Sequence, residues 1–401
     1  MPQKDFISKL LDMEEAEIRD VDILEKETTI AFRMRRRAHE CPACGTFTDS
    51  IQDYRLQKVK DLPVQGRHLV WHYQKRRYRC TACGKRFYES NYLLPKWHRI
   101  TNRLALFGML QLGRKCSQTD IARELGISPS TVGRWLKLLD SGKPDKLPKV
   151  LSIDEFRGNT ERGKFQCILT APKEKAVLDI LPTRNSTDLS EYFRSFSNRR
   201  SVDYVVMDMN REYLALAKHH FPQAKVVIDR FHVVRYCTWA LENVRRRIQK
   251  QLPGDRRKYF KRSRKLLLTH MDKLSPDNKA AVEQMLLVSP ELREAYLLKE
   301  KFYEFMASSD ATQAKARLTD FRAFALVADI PEFRACLTML QNWEPYILNA
   351  FDCVFSNGFT EGVNNTIKVI KRIAYGYRNF DNFRRRILVT LHTKAESITL
   401  A

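Results

Sequence analysis

SNGFTEGVNNTIKVIKRIAYGYRNFDNFRRR, residues Ser356 to Arg386, sets one carboxylate, Glu361, in the first turn of a basic amphipathic helix. Thr360 reads as the N-cap. Val363, Ile367, Ile370 and Ala374 then recur at helical spacing, the apolar stripe of a helix packed on a core. The polar face carries Glu361, Asn365, Lys368 and Arg372 in one row. Taken alone, that row is a solvated face with its charges paired along the helix. It gains another meaning only if upstream segments bring further acids to Glu361.

Such segments precede it. Val150–Ile153 leads into Asp154; Phe165–Leu169 and Ala176–Leu181 follow as two further strands of a meander, then a helix over Thr187–Phe196. Tyr204–Met207 is a buried strand ending at Asp208, followed by a helix (Arg211–His220) and a strand, Lys225–Ile228, ending at Asp229. The order βββαβαβ followed by a late helix is that of a ribonuclease-H-like domain, a mixed sheet with helices on its faces. There the first and fourth strands lie side by side, which would place Asp154 and Asp208 at one sheet edge. With Glu361 from a packed helix, three such acids can hold two Mg²⁺ (or Mn²⁺) ions roughly 3.5–4 Å apart. An isolated Asp at a strand end serves as readily in a turn or cap, so both readings stand on the residues alone.

The charge balance narrows the partner. The 401 residues carry 71 Lys and Arg against 47 Asp and Glu, a formal net charge of +24. The excess is concentrated in Arg33–Arg37, Lys75–Arg79 and Arg245–Lys265. A polyanion is the simplest partner, since neutralising phosphates releases counterions. Membrane binding fits poorly: no apolar run approaches the roughly 20 residues of a spanning helix, and the amino end mixes in acids where a signal peptide is basic and then apolar. The expected location is the cytoplasm. Of nine cysteines, Cys116, Cys167, Cys237, Cys336 and Cys353 are scattered, as buried thiols in a reducing compartment would be.

The other four form two matched knuckles, Cys41-Pro-Ala-Cys44-Gly45 and Cys80-Thr-Ala-Cys83-Gly84. Two residues between thiolates let both sulfurs reach one tetrahedral ion, so Cys41, Cys44, Cys80 and Cys83 are expected to hold one structural Zn²⁺. The spacer holds strand-like pieces such as HLVWHYQKRRYRC that would form a hairpin. Its interleaved aromatics and bases, Arg76 and Arg77 among them, suit DNA-backbone contact, although the aromatics would equally pack a small core. Three helices follow: Thr101–Leu112, Ser117–Leu125 and, after a turn at Gly126, Pro129–Leu139 with Ser128 as N-cap. This spacing is that of a helix-turn-helix, with Ser130, Thr131, Arg134 and Lys137 facing a major groove. The linker SGKPDKLPK closes this part.

After Phe231 the chain reads as helical for more than a hundred residues. Arg245, Arg246, Arg247, Arg256, Arg257, Lys258, Arg262 and Arg264, offset only by Asp255, read as a phosphate-binding surface or else as a solvated helical face.

Taken in order, the CxxC pairs, the helix-turn-helix, SIDEF (152–156), VVMDMN (205–210), IDRFHVVR (228–235) and the stretch from Ser356 to Ile387 resemble a bacterial insertion-sequence transposase of the ISL-three family, within the DDE superfamily. The resemblance covers nearly the whole chain. It implies a catalytic triad of Asp154, Asp208 and Glu361, favouring Asp154 over Glu155 and Asp208 over Asp203 and Asp229. It also implies a helical insertion between the second Asp and the Glu. The organisation expected is a zinc-binding module (1–95), a helix-turn-helix (96–140), a linker (141–149), a first part of a ribonuclease-H-like core (150–239), a helical insertion (240–350) and the last part of the core with the Glu helix (351–401). The implied activity is Mg²⁺-dependent cleavage and transfer of double-stranded DNA at terminal inverted repeats and target DNA, by a homodimer. Arg245, Arg246, Arg257, Lys368 and Arg372 are expected on phosphates. Two other classes remain on the residues: a DNA-binding regulator whose nuclease-like domain no longer cuts, and a ribonuclease-H-like nuclease on other substrates.

Overall fold

The computed structural model describes residues 6–392 other than 10, 14, 93, 95–97, 140–141, 255–256, 259, 261–262 and 354. Asp255, Arg256 and Arg262 of the basic stretch therefore lie outside the described residues. The chain forms two compact units, the first Met1–Ser141 together with Val369–Ala401 and the second Gly142–Lys368. The expected last segment of the core, 351–401, spans the junction between them. No described helix is long and apolar enough to cross a membrane.

In the first unit, β1 (Ala16–Ile23), β2 (Glu27–Met34), β5 (Ile51–Val64), β6 (Arg67–Arg79) and β7 (Arg86–Tyr88) form one sheet, ordered β1-β2-β6-β5 with β7 also on β6. The expected hairpin is β5–β6. Its turn places Gln65 at φ 50° and Gly66 at φ 76°, the pair of left-handed residues that a two-residue turn between twisted strands requires. Alternation along β6 buries Leu69, Trp71 and Tyr73, and Phe32 of β2 stacks on Tyr73 at 5.0 Å. The aromatics thus pack the sheet's core, the second of the two readings. The short strands β3 (His39–Glu40) and β4 (Phe47–Thr48) flank the first knuckle.

The same unit holds α1 (Asn102–Gln111), α2 (Gln118–Glu124) and α3 (Pro129–Leu138). Each starts where a hydroxyl caps it: Thr101, Ser117 in a capping box with Asp120, and Ser128 ahead of Pro129. Ile121, Ala122, Leu125, Val132, Trp135 and Leu136 form the core. Gly108 on α1 has no room for a side chain, because a methyl there would fall inside the Trp135 ring. The sheet is tied on by Asp61, which accepts from Thr101 and pairs with Arg103. The C-terminal helix Phe380–His392 completes the unit. Its Arg386, 1% exposed, donates to the carbonyls of Leu112, Arg114 and Cys116 just past the end of α1, where carbonyls lack intrahelical partners.

In the second unit, β8 (Val150–Thr160), β9 (Gly163–Ala171), β10 (Ala176–Leu181), β11 (Tyr204–Met207) and β12 (Lys225–Ile228) form a mixed sheet ordered β10-β9-β8-β11-β12. β8 runs antiparallel to β9 and parallel to β11, so the first and fourth strands of this unit are neighbours. Helices Ser186–Arg194 and Arg211–His220 fill the crossovers. Beyond β12, Arg230–Gln251, Arg264–Leu268, Pro276–Leu286, Pro290–Met306, Ala311–Ala328 and Pro331–Leu348 are helical. One apolar core runs from Leu151 and Met207 of the sheet through Val233 and Cys237 to Phe302, Phe333 and Trp343, so these helices share the sheet's core. The helix Gly358–Ile373 begins in this unit.

Candidate active site and metal centre

Strand register positions the first two acids. Ile153 of β8 lies opposite Met207 of β11, so Asp154 and Asp208 follow side by side. β11 ends there, but β8 does not, as had been expected: Asp154 continues in the strand, opposite Ile168 of β9. Asp154 is buried. It accepts from the Glu155 N–H at 2.7 Å and from Asn364 Nδ2 at 2.8 Å. Burial first, and then the charge of Asp208, push its carboxyl up to about 7.

The helix bearing Glu361 is fixed at its first turn by buried polar groups. Thr360, expected as an N-cap, is instead inside the helix, which starts at Gly358. Its hydroxyl is buried against Thr170 Oγ1 at 2.8 Å and Ser152 Oγ at 3.2 Å, on β9 and β8. Asn357, fully buried, accepts from Ser152, donates its N–H to Asp229 Oδ1 at 3.3 Å and points Nδ2 at Asp208 Oδ1 at 3.5 Å. Glu361 N–H donates to the Asn357 carbonyl at 2.9 Å. Burial, then the charge of Asp229, raise the Glu361 carboxyl; Asp208 adds to this, and His232 and Lys368 oppose it.

Two groups beyond the expected three enter this constellation. His232 Nδ1 lies 2.9 Å from Asp208 Oδ1 and 3.5 Å from Asp229 Oδ2. Its contacts with Asp208, and then with Asp229, push the imidazole up to about 10, so it is a cation at neutral pH. Neither His232 Nδ1 nor Asp229 Oδ2 has an aligned hydrogen-bond partner, although both are buried atoms. The ligand atoms of Asp208, Asp229 and His232 lie within 4.8 Å of one another. The signal in the sequence was IDRFHVVR: an Asp at a strand end and a His one helical turn later share a face. The resemblance set Asp229 aside in favour of Asp208. Clustered carboxylates with orphaned polar atoms suit a divalent cation, which takes oxygen and imidazole donors.

The second centre is in the first unit. Gly45 N–H donates to the Cys41 carbonyl and Gly84 N–H to that of Cys80, with φ 72° and 71°, so the two knuckles have the same turn. Cys41 Sγ lies 3.6 Å from Cys83 Sγ, and Cys44 Sγ 3.5 Å from Cys80 Sγ; all four sulfurs lie within 4.8 Å. A tetrahedral Zn–S distance of about 2.3 Å implies S···S edges of about 3.8 Å, which the cluster fits.

The expected DNA-contacting residues divide. Ser130, Arg134 and Lys137 are exposed on α3, whereas Thr131 is buried with its hydroxyl held by Ser128 and Arg134. Arg76, 4% exposed, is bonded to Glu89 and the Met34 carbonyl. Arg245, also 4% exposed, is bonded to Glu242, Gln249 and the Phe260 carbonyl. Neither can reach a phosphate here, and Thr131 cannot reach a base; these three expectations are corrected, because a charge inside a core must be paired there. Arg77, partly exposed, pairs with Asp53, and Arg246, exposed, pairs with Glu242. Arg257, Lys368 and Arg372 are exposed.

The comparisons with known proteins follow the same division. A family profile described as a transposase matches residues 151–387. A second, described as the zinc-finger of transposase IS204/IS1001/IS1096/IS1165, matches 37–83, and a third, the helix-turn-helix domain of transposase family ISL3, matches 91–139. The transposase for insertion sequence element IS1001 of Bordetella parapertussis is 28% identical over 361 residues, 86% of this chain and 87% of that protein. The transposase for insertion sequence element IS1557 of Mycobacterium tuberculosis is 22% identical over 294 residues, 66% of each. A 109-residue stretch, 27% of this chain, is 37% identical to a Lactococcus lactis protein named an ATP-dependent protease, of which it covers 33%.

Proposed function

Since the chain belongs to the ISL3 family of transposases, a DNA-binding enzyme that cuts and transfers DNA strands with a divalent metal, we propose that its catalytic acids are Asp154, Asp208 and Glu361 on a ribonuclease-H-like sheet. The observation that carries this is the register of β8 and β11, which sets Asp154 inside β8 beside Asp208 at the end of β11, with a third acid from a helix whose first turn is hydrogen-bonded to β8 and β9. Asp154, Asp208 and Glu361 would hold Mg²⁺, with Asp229 and His232 beside them. A divalent ion held there would supply Lewis-acid activation of an attacking water or 3′-hydroxyl and stabilisation of the leaving oxygen.

The protein's own residues prepare that chemistry. Asn364 and the Glu155 N–H fix the Asp154 carboxylate, and Asn357 fixes the backbone from which Glu361 projects. The like charges of Asp154 and Asp208 make the site unfavourable without a cation, and His232 supplies one in the metal-free protein. Lys368, exposed on the Glu361 helix, would meet phosphates near the scissile bond. In the first unit Cys41, Cys44, Cys80 and Cys83 would hold one structural Zn²⁺, and Ser130, Arg134 and Lys137 would read the element's terminal inverted repeats. The domain boundaries of this reading are 1–95, 96–140, 150–239, 240–350 and 351–401. Bringing two DNA ends together calls for a homodimer on DNA.

The test is Mg²⁺-dependent cleavage of labelled DNA carrying the repeats that flank the gene, wild type against Glu361→Gln. Nicking at the repeat boundary by wild type alone supports the assignment. Equal cleavage by both proteins overturns the role of Glu361, and binding by both without cleavage favours a regulator.

A further inference from the structure

The stretch after the Glu361 helix has its own surface in the first unit. A cleft of about 840 Å³ opens between the start of α2 and the segment Arg372–Asn382. A second hollow beside it, lined by Ser130, Arg134 and Lys137 of α3, shares Gln118 and Asn382 with it. The face that is expected to read DNA therefore continues onto the C-terminal segment. The cleft is basic: Arg123, Arg372 and Arg378 line it, against one carboxylate, Asp120. That carboxylate is already engaged by Ser117 and Arg123.

At the rim stands Tyr375. It is 100% exposed, the most exposed large apolar side chain among the described residues. It also has φ 53°, at the end of the helix, where Gly376 N–H donates to Lys371 O and Tyr375 N–H to Arg372 O. This is the left-handed position that helix ends usually give to glycine. A tyrosine here spends conformational energy on a side chain that is fully exposed among the described residues, so packing does not explain it. An aromatic face between arginines is the combination that holds an unpaired nucleotide, base on ring and phosphate on guanidinium.

We propose that this cleft binds the DNA strand flanking the terminal repeat, with Arg372 and Arg378 on its phosphates and Tyr375 stacked on an unpaired base. The inference rests on the transposase reading, and it adds a single-strand site to the helix-turn-helix.

The full-length protein, with its zinc and without Mg²⁺, would be titrated with two probes: a blunt duplex of the flanking terminal repeat, and the same duplex with a three-nucleotide overhang containing 2-aminopurine. Tyr375→Gly keeps the left-handed backbone and removes the ring; Tyr375→Phe keeps the ring. Wild type and Tyr375→Phe should quench the 2-aminopurine, and Tyr375→Gly should bind the overhang probe roughly tenfold more weakly with blunt-duplex affinity unchanged. Arg378→Ala should lower the salt dependence of overhang binding by about one phosphate contact. Equal overhang affinity and quenching in wild type and Tyr375→Gly overturns the inference while leaving repeat binding intact. Loss of wild-type preference for the repeat over random duplex overturns the transposase reading instead. A change of mass without DNA in Tyr375→Gly assigns the patch to a second copy of the chain and also overturns the inference.

Discussion

Asp154→Asn should stabilise the metal-free protein above neutral pH, although it removes a proposed catalytic acid. In the folded protein burial and Asp208 hold the Asp154 carboxyl at about 7, against an ordinary value of 3.8. A carboxyl whose folded pKa is raised binds its proton more tightly when folded. Its contribution is therefore favourable below pH 3.8 and is lost as the pH rises toward 7. At about 1.4 kcal/mol per pKa unit the loss approaches roughly 4 kcal/mol above pH 7. The amide cannot ionise and so avoids it. The assay is urea unfolding in chelator at pH 5 and pH 8. At pH 8 the variant should be more stable by a few kcal/mol, at pH 5 by less than half as much, and millimolar Mg²⁺ should stabilise wild type and not the variant. A variant less stable than wild type at pH 8, or a difference that does not change with pH, would refute the view that buried Asp154 is repelled by Asp208.

Cys80→Ser should lose zinc and loosen the β3–β4 and β6–β7 region, read by metal content and circular dichroism. Gly108→Ala should cost about 1–3 kcal/mol in urea unfolding, because Trp135 fills the space of the new methyl. Arg386→Ala strands three carbonyls near the end of α1 and should expose Phe380–His392 to limited proteolysis, at a cost of roughly 2–4 kcal/mol. Arg134→Ala should weaken binding to the terminal repeat by about 1–3 kcal/mol, whereas Arg76→Ala should lower stability and leave the salt slope of DNA binding unchanged.

Much of the fold was legible because it rests on short-range rules. Capping hydroxyls, the glycine at 126 and the alternation along the strands specify local conformation from neighbouring residues, and they marked the helix-turn-helix, the hairpin and the strand order within a few residues. The two CxxC knuckles announced their cluster because each pair is bound by its own turn. Asp208 at the end of β11 was visible as well, since a polar residue after a buried run stands out, whereas Asp154, expected at a strand end, lies inside β8.

What the sequence could not decide depends on groups far apart in the chain. Whether an arginine meets solvent or a buried carboxylate is set by what packs over it, which is why Arg76 and Arg245 look like Arg246 in sequence and differ in the fold. Asp229 and His232 join Asp208 only because β12 lies next to β11 and the following helix turns its first residues back to the sheet edge. The contact of Thr360 with Ser152 and Thr170 joins residues 208 and 190 positions apart, and the capping of α1 by Arg386 joins residues 274 apart. Composition and local pattern therefore determined the elements and the class of partner, while tertiary packing alone decided which charges are paired inside and which are left to meet DNA or metal. Burial sets the cost of an unpaired charge, and burial is a property of the whole fold.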